Sequence, residues 1–426
     1  MSISGSMYTG VSGLHSHSEA MSVISDNIAN VNTTGFKASR ANFSDILGGV
    51  IAGDRVGNGS AITSVQTMFT QGALLGTGNT MDLAIQGEGF FMVTPPGGSA
   101  PLYTRAGQFQ IDDQGYVVNP QGMRVLGYGV DTAGQLGSAT SPLQVPTTAL
   151  PPSATSTVSL QANLGSQEPV ATAPFDLANP DSTSQYQTAV TVYDSVGEAH
   201  QLELYFTKTS DGPQQWEVNV TASGADIVPA PAGDRALLAT GTLAFNPDGS
   251  LASNTLPAIN ATWSGAEAAS ITLDLGSATG AGGTGVDGLT GYAGNSAASF
   301  ITQDGNSSGD LGGLEIGNDG QIVGLYSNGE SRVIGQLATA KFVAPDGLQR
   351  MGGGLYAATI DAGEPTVAPP GAGGHGSIVS GSLEGSNVDL AAEFVQLIAV
   401  QRGFQSNSRS ITTADEMLSE LVNLKR

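Results

Sequence analysis

Cysteine is absent from all 426 residues, which excludes disulfides, thiolate catalysis and cysteine-ligated metal. Charge is scarce too, at 12% of the chain against about 25% in ordinary globular domains. Basic residues are the scarcest: 14 Lys and Arg stand against 37 Asp and Glu, for a net charge of −23. Such a chain is repelled by nucleic acid and by anionic membrane surfaces. No apolar run approaches the roughly 20 residues of a membrane span, so no membrane insertion is expected. The start, Met-Ser-Ile-Ser-Gly-Ser-Met-Tyr-Thr-Gly, lacks the basic and apolar regions of a cleavable Sec signal peptide, so any export is expected by another route. Glycine, by contrast, is abundant at 60 residues, and 39% of the chain is apolar. That combination predicts short strands and tight corners rather than disorder.

The ends differ from the middle. Leu390, Leu397, Phe404, Ile411 and Leu418 recur every seven residues, and a mixed set (Phe394, Gln401, Ser408, Asp415, Val422) lies four residues after each. Together they predict one seam on a helix. Met7, Val11, Leu14, Met21, Ile28 and Val31 form a second seam near the N-terminus. Helices over 4–30 and 387–424 would span roughly 40 Å and 55 Å. Ser386 with Asp389 reads as a capping-box-like start, and Lys425 and Arg426 complement the dipole at the finish. Neither seam has a partner nearby in sequence, and helices of this length are marginal without an apolar surface to pack on. Two readings follow: an ordinary intramolecular pair on a β body, or assembly helices offered to other copies.

Residues 33–70 are turn-rich and weakly patterned. From Met81 the text turns strand-like, and Leu150-Pro-Pro152 reads as a linker. Leu202, Leu204 and Phe206 alternate before Ser210-Asp-Gly-Pro213, and Trp216, Val218 and Val220 alternate after it, the clearest hairpin in the chain. Gly276 to Gly288 reads as a second linker, and Pro365 to Gly376 leads toward the last helix. Between Arg124 and Arg332 only Lys208 and Arg235 are basic, against 20 acidic residues, which marks the middle as a solvated exterior.

Motifs with catalytic potential fail on context. Gly305-Asn-Ser307-Ser-Gly309 matches G-x-S-x-G, but Asp310-Leu-Gly-Gly313 follows where a nucleophile elbow needs a helix. Two G-x-G-x-x-G matches, at Gly283 and Gly371, open no helix, and about one such match is expected by chance at this glycine content. His15 and His17 point in different directions on a helix. No enzyme, cofactor or metal is expected.

Residues at both ends carry a resemblance. Ser25-Asp-Asn-Ile-Ala-Asn-Val-Asn-Thr-Thr-Gly-Phe-Lys37 is similar to the signature of the bacterial flagellar axial proteins, the rod, hook and hook-associated subunits. Ser386-Asn-Val-Asp-Leu-Ala-Ala-Glu-Phe-Val-Gln-Leu-Ile-Ala-Val-Gln-Arg-Gly-Phe-Gln-Ser-Asn-Ser-Arg409 resembles their terminal helix. Met81-Asp-Leu-Ala-Ile-Gln-Gly-Glu-Gly-Phe-Phe91 extends the likeness, and Val192-Tyr-Asp-Ser-Val-Gly197 resembles the outer domain of hook proteins, which rod subunits lack. The signature positions are Asn27, Ala29, Asn30, Asn32, Thr33, Gly35, Phe36, Lys37, Gln401, Arg402 and Asn407.

The resemblance implies a mainly β chain with long terminal α-helices paired in a coiled-coil-like domain, and two nested β-barrel- or sandwich-like domains. The expected organisation is a terminal helical assembly domain (1–30 and 387–426), an extended connecting segment (31–75), an inner β domain (76–150 and 289–376), an inserted outer β domain (151–288) and a linker (377–386). The implied function is self-assembly into a curved extracellular tube that transmits torque. The implied partners are the chain itself, rod and hook–filament junction proteins at the ends, and a hook cap and the type III export apparatus during assembly. A distal rod or junction protein is the alternative within the family. A secreted β-domain adhesin is the alternative outside it, and two Trp without clustering argue against its aromatic platforms.

Overall fold

The computed structural model describes the backbone of residues 3–51, 54–98, 100–131 and 134–423, and the side chains of 5–47, 57–98, 100–131 and 134–420. Two compact units emerge: Met1–Thr147 with Gly313–Leu325 and Ser331–Arg426, and Thr148–Gly312 with Tyr326–Glu330.

In the first unit, the N-terminal helix runs Ile3–Ala29 and the C-terminal helix Leu390–Asn423. The first ends where turn formers begin: the Asn30 side chain donates back to the Asp26 carbonyl at 2.9 Å, and Thr33 N–H donates to the Asn30 carbonyl at 3.1 Å. The second starts later than expected, because Asp389 rather than Ser386 is the cap. Its Oδ1 accepts from Ala391 N–H at 2.9 Å and Ala392 N–H at 3.3 Å, satisfying donors that the helix leaves open. Lys425 and Arg426 lie outside the described residues.

The segment expected to be an extended connection (31–75) is mostly a long antiparallel hairpin, Ser39–Ile51 with Asp54–Thr67. Its register shifts after Asn42, Asp45 and Leu47. These bulges break the period-two alternation by which a strand is recognised in sequence. Beyond it, strands 331–337, 124–130, 90–94, 102–104, 355–357 and 349–352 adjoin in that order. Phe90, Met92, Tyr103, Phe342 and Tyr356 fill the core beside them.

Most of residues 377–386, expected to be a linker, is strand. Ser377–Ser380 pairs antiparallel with Leu83–Gln86, and Ser382–Glu384 with Leu74–Gly76. The chain thus returns from the β region alongside the strands by which it entered.

The second unit contains a five-stranded antiparallel meander (186–193, 199–211, 214–223, 235–245, 251–254) and a second sheet built around 157–163. The expected hairpin is present, with Leu204 opposite Val220 and Phe206 opposite Val218. Trp216 and Trp263 are fully enclosed in its core. The boundary expected at 288 is corrected: residues 289–312 belong to this unit, because Ala297–Gln303 pairs with Thr157–Asn163. Gly276 to Gly288 is not a linker but a tight internal loop. Ser277 N–H donates to Asp287 Oδ1 at 2.9 Å, and Leu289 N–H to the Leu275 carbonyl at 2.8 Å. A Cβ on Gly276, at φ +95°, would lie 2.6 Å from Gly288 N, so glycine here serves close approach, not looseness.

Candidate assembly surface

The helices pack along a stripe of small residues. Among the described side chains of the N-terminal helix, Gly10, Gly13, Ser16, Ala20, Ile24 and Asn27 are the buried positions, at steps of three and four. Added Cβ atoms would lie 2.8 Å from Ile411 Cγ1 at Gly10, 2.8 Å from Asn407 Cγ at Gly13 and 2.6 Å from the His17 ring at Gly403. Further along, Ala20, Ile24 and Val400 form a core flanked by Met21, Ile28, Leu397 and the hairpin's Ala41 and Ile62. The hairpin braces the same helix, since Ser16 Oγ donates to the Ser60 carbonyl at 2.8 Å.

The apolar seams read from sequence lie beside this stripe rather than on it. Met7, Leu14, Met21, Ile28 and Val31 are half-buried, and Val11 is exposed. On the C-terminal helix Leu397, Ile411 and Leu418 are half-buried, whereas Leu390, Phe394 and Phe404 are exposed. The side chain of Val422 lies outside the described residues. Consequently an apolar surface remains on the outside of the pair: Val395 is 69% exposed, Ile398 51% and Phe394 49%.

At the base of the helices an ionic hub ties the two chain ends to the β region. Lys37 and Glu384 are fully buried and Arg105 nearly so. Lys37 Nζ donates to Glu384 Oε1 at 2.6 Å and to the Thr70 carbonyl at 2.8 Å. Arg105 donates to Glu384 Oε2 at 3.3 Å and to the Gly87 carbonyl at 2.9 Å. Gly72 N–H also donates to Glu384, at 2.9 Å. Desolvation pushes the Lys37 ammonium and the Arg105 guanidinium below their ordinary pKa values, and the Glu384 carboxylate opposes the fall in both. The backbone of Gly35, at φ +68°, donates to the Glu384 carbonyl at 2.8 Å. A Cβ there would meet Ala106 N at 2.5 Å, so the position admits only glycine.

Two asparagines complete the junction. Asn27 Nδ2 donates to the Ser39 carbonyl at 2.8 Å and to Glu393 Oε1 at 3.0 Å, while its Oδ1 accepts from Ser39 N–H at 2.9 Å. Asn387 Nδ2 donates to the Met68 carbonyl at 2.8 Å and its Oδ1 accepts from Ala38 N–H at 2.7 Å. Phe36 is buried beneath the Arg350 guanidinium, 5.1 Å from its ring centroid. Asn27, Gly35, Phe36 and Lys37 thus converge, with Asn30 half-buried beside them. Ala29, Asn32, Thr33, Gln401 and Arg402 are exposed, and Asn407 is half-buried against Gly13. Sequence reasoning missed Glu384, Arg105, Glu393, Asn387 and the helix glycines.

A helix pair made from both chain ends, with apolar side chains exposed on Phe394, Val395 and Ile398 and with buried charge locking it to a β unit, is the architecture of a structural subunit rather than of a catalytic site. Residues 7–37 match the family profile described as flagella basal body rod protein. Residues 84–163 match that of the flagellar hook protein FlgE/F/G D1 domain, 159–306 the flagellar basal body protein FlaE D2 domain, and 379–424 the flagellar basal body rod FlgEFG protein C-terminal region. The flagellar hook protein FlgE of Salmonella typhimurium is 38% identical over 423 residues, 97% of this chain and 98% of that protein. That of Borreliella burgdorferi is 35% identical over 461 residues, 99% of each. The crystal structure of Helicobacter pylori flagellar hook protein FlgE2 shares the fold, with a TM-score of 0.52 at 16% identity, covering 71% of this chain and 98% of that one. The chain belongs to the flagellar hook protein family.

Proposed function

We propose that this chain is the structural subunit of a bacterial flagellar hook, polymerising through its terminal helices into an extracellular tube. The observation that carries the reading is the exposed apolar face of the helix pair, on Phe394, Val395 and Ile398. A free subunit would leave this surface in water, and association with other copies buries it. The seam residues Met7, Val11, Leu14, Leu390 and Phe404 flank the same pair and are assigned to contacts between copies. The signature residues around Lys37 and Glu384 hold the helices in one orientation to the β region, so that force on the tube passes into it.

Torque transmission with bending needs contacts between outer units that exchange. A glycine-rich, net-acidic surface that holds neighbours only weakly suits such contacts better than a large apolar interface, which would fix one geometry. Rod and junction proteins at the two ends, a cap during growth and delivery by the flagellar type III export apparatus complete the proposed setting. Electron microscopy of the purified, concentrated chain tests the proposal: hollow tubes are expected, and a protein that stays monomeric at every concentration and ionic strength contradicts it.

A further inference from the structure

The second unit holds a histidine set among carboxylates. His200, on the strand Ala199–Asp211, has a side chain only 5% exposed. Its ring stacks on Trp263, with centroids 4.1 Å apart and planes within 5°, so its orientation is fixed. Nε2 lies 3.3 Å from Asp194 Oδ2, and Nδ1 lies 3.7 Å from Asp226 Oδ2. Asp194 is itself buried, and its Oδ1 is occupied by the N–H groups of Val196 and Glu198, each at 2.9 Å. Its Oδ2 is left to the imidazole. Glu198 is exposed, and one ligand atom from each of Asp194, Glu198 and His200 falls within 4.8 Å of the others.

We propose that Asp194, Glu198 and His200 form a zinc site that braces the outer unit. One imidazole and two carboxylates are a donor set suited to a borderline divalent cation. The His200–Asp194 separation of 3.3 Å is long for a charge-assisted hydrogen bond, which prefers about 2.7–2.9 Å. It is close to the roughly 3.4 Å between neighbouring donors on a tetrahedral zinc with bonds of about 2.1 Å. Asp226 Oδ2, 3.7 Å from the other ring nitrogen, is beyond hydrogen-bond distance and adds only negative charge beside the imidazole. Glu198, exposed at the turn before His200, supplies the third ligand from the solvent side, and water completes the shell. The ion would clamp the 194–200 turn to the strand it precedes, beside the Trp263 core.

Isothermal titration of the chelator-treated full chain with zinc chloride tests the site, with thermal melting in parallel. One equivalent is expected to bind, and zinc is expected to raise the melting temperature by mass action. Glu198→Gln, at an exposed position, should lower affinity about tenfold or more and reduce the melting shift at a given zinc concentration, while leaving the zinc-free melting temperature unchanged. His200→Gln should abolish binding. A His15→Gln/His17→Gln variant should bind as the parent does. No zinc binding by the parent overturns the proposal and leaves His200–Asp194 as a hydrogen-bonded staple. Undiminished binding by Glu198→Gln and His200→Gln, or loss of binding in the His15/His17 variant, also overturns it.

Discussion

Lys37 and Glu384 are 347 residues apart, and their pairing is the feature least visible in the chain. Lys37 was legible only as part of a signature. Nothing in its neighbourhood announces a buried ammonium, because its partner arrives with the returning strand Ser382–Glu384. Removing one member of such a group strands the others without compensation. Glu384→Gln is therefore expected to destabilise the first unit by about 3–5 kcal/mol, read by chemical denaturation, while the second unit melts as before. Glu393 poses the converse case. Burial raises its pKa above the ordinary 4.5, the nearby Asp389 charge adds to the rise, and the Asn27 hydrogen bond opposes it. A carboxyl with a raised folded-state pKa binds more protons folded than unfolded. Its stabilising contribution is thus complete below pH 4.5 and is lost as pH rises through the raised value. Amide exchange of the helix pair, taken relative to its intrinsic rate at each pH, should accordingly slow on acidification across that window. Glu393→Gln, which keeps an acceptor for Asn27, should slow it at neutral pH and flatten the pH response.

At the scale of elements, both helices were legible and their contact face was not. The seven-residue repeat located Leu390–Asn423 to within three residues at its start. It also nominated Leu390 and Phe404 for the seam, which the structure leaves exposed. The reason is physical. The helices meet through Gly10, Gly13 and Gly403, and apolar periodicity cannot register residues without side chains. The hairpin 39–67 escaped notice for a related reason, its bulges scrambling the alternation. Gly403→Val is expected to force the helices apart at His17, since overpacking a close contact costs about 1–3 kcal/mol. Loss of amide protection on both helices, with the β strands unaffected, is the expected result. Unchanged protection would mean that the close approach is not what holds the pair.

The whole molecule is divided into two units, and the proposed joining and exterior roles fall on different ones. The second unit was legible as an inserted β region, because Leu150-Pro-Pro152 and the 202–220 hairpin stand out. Its far edge was not, since a glycine run serves a tight loop as readily as a linker. Both basic residues of this unit are engaged: Lys208 with the Ser166 and Glu168 carbonyls at 2.7 and 2.8 Å, and Arg235 with Glu203 at 3.0 Å. Its acidic surface therefore has no free counter-charge of its own, and copies brought side by side repel one another in a salt-dependent way. A chain in which 148–310 is replaced by a short Gly/Ser linker should retain the first unit's fold and still polymerise. Its tubes should be straighter or less regular, and less sensitive to salt, than those of the full chain, as judged by electron microscopy.

The central claim is that the outward apolar face of the terminal helix pair joins one copy to the next. Ile398→Asp tests it most directly, because Ile398 is 51% exposed in the single chain and its change leaves the subunit's own core untouched. Analytical ultracentrifugation across a concentration series should find the parent in large polymers and the variant monomeric, since a buried unpaired carboxylate costs several kcal/mol at every repeat. The melting transitions of the two monomers should coincide. Polymerisation of Ile398→Asp at the parent's critical concentration would contradict the claim.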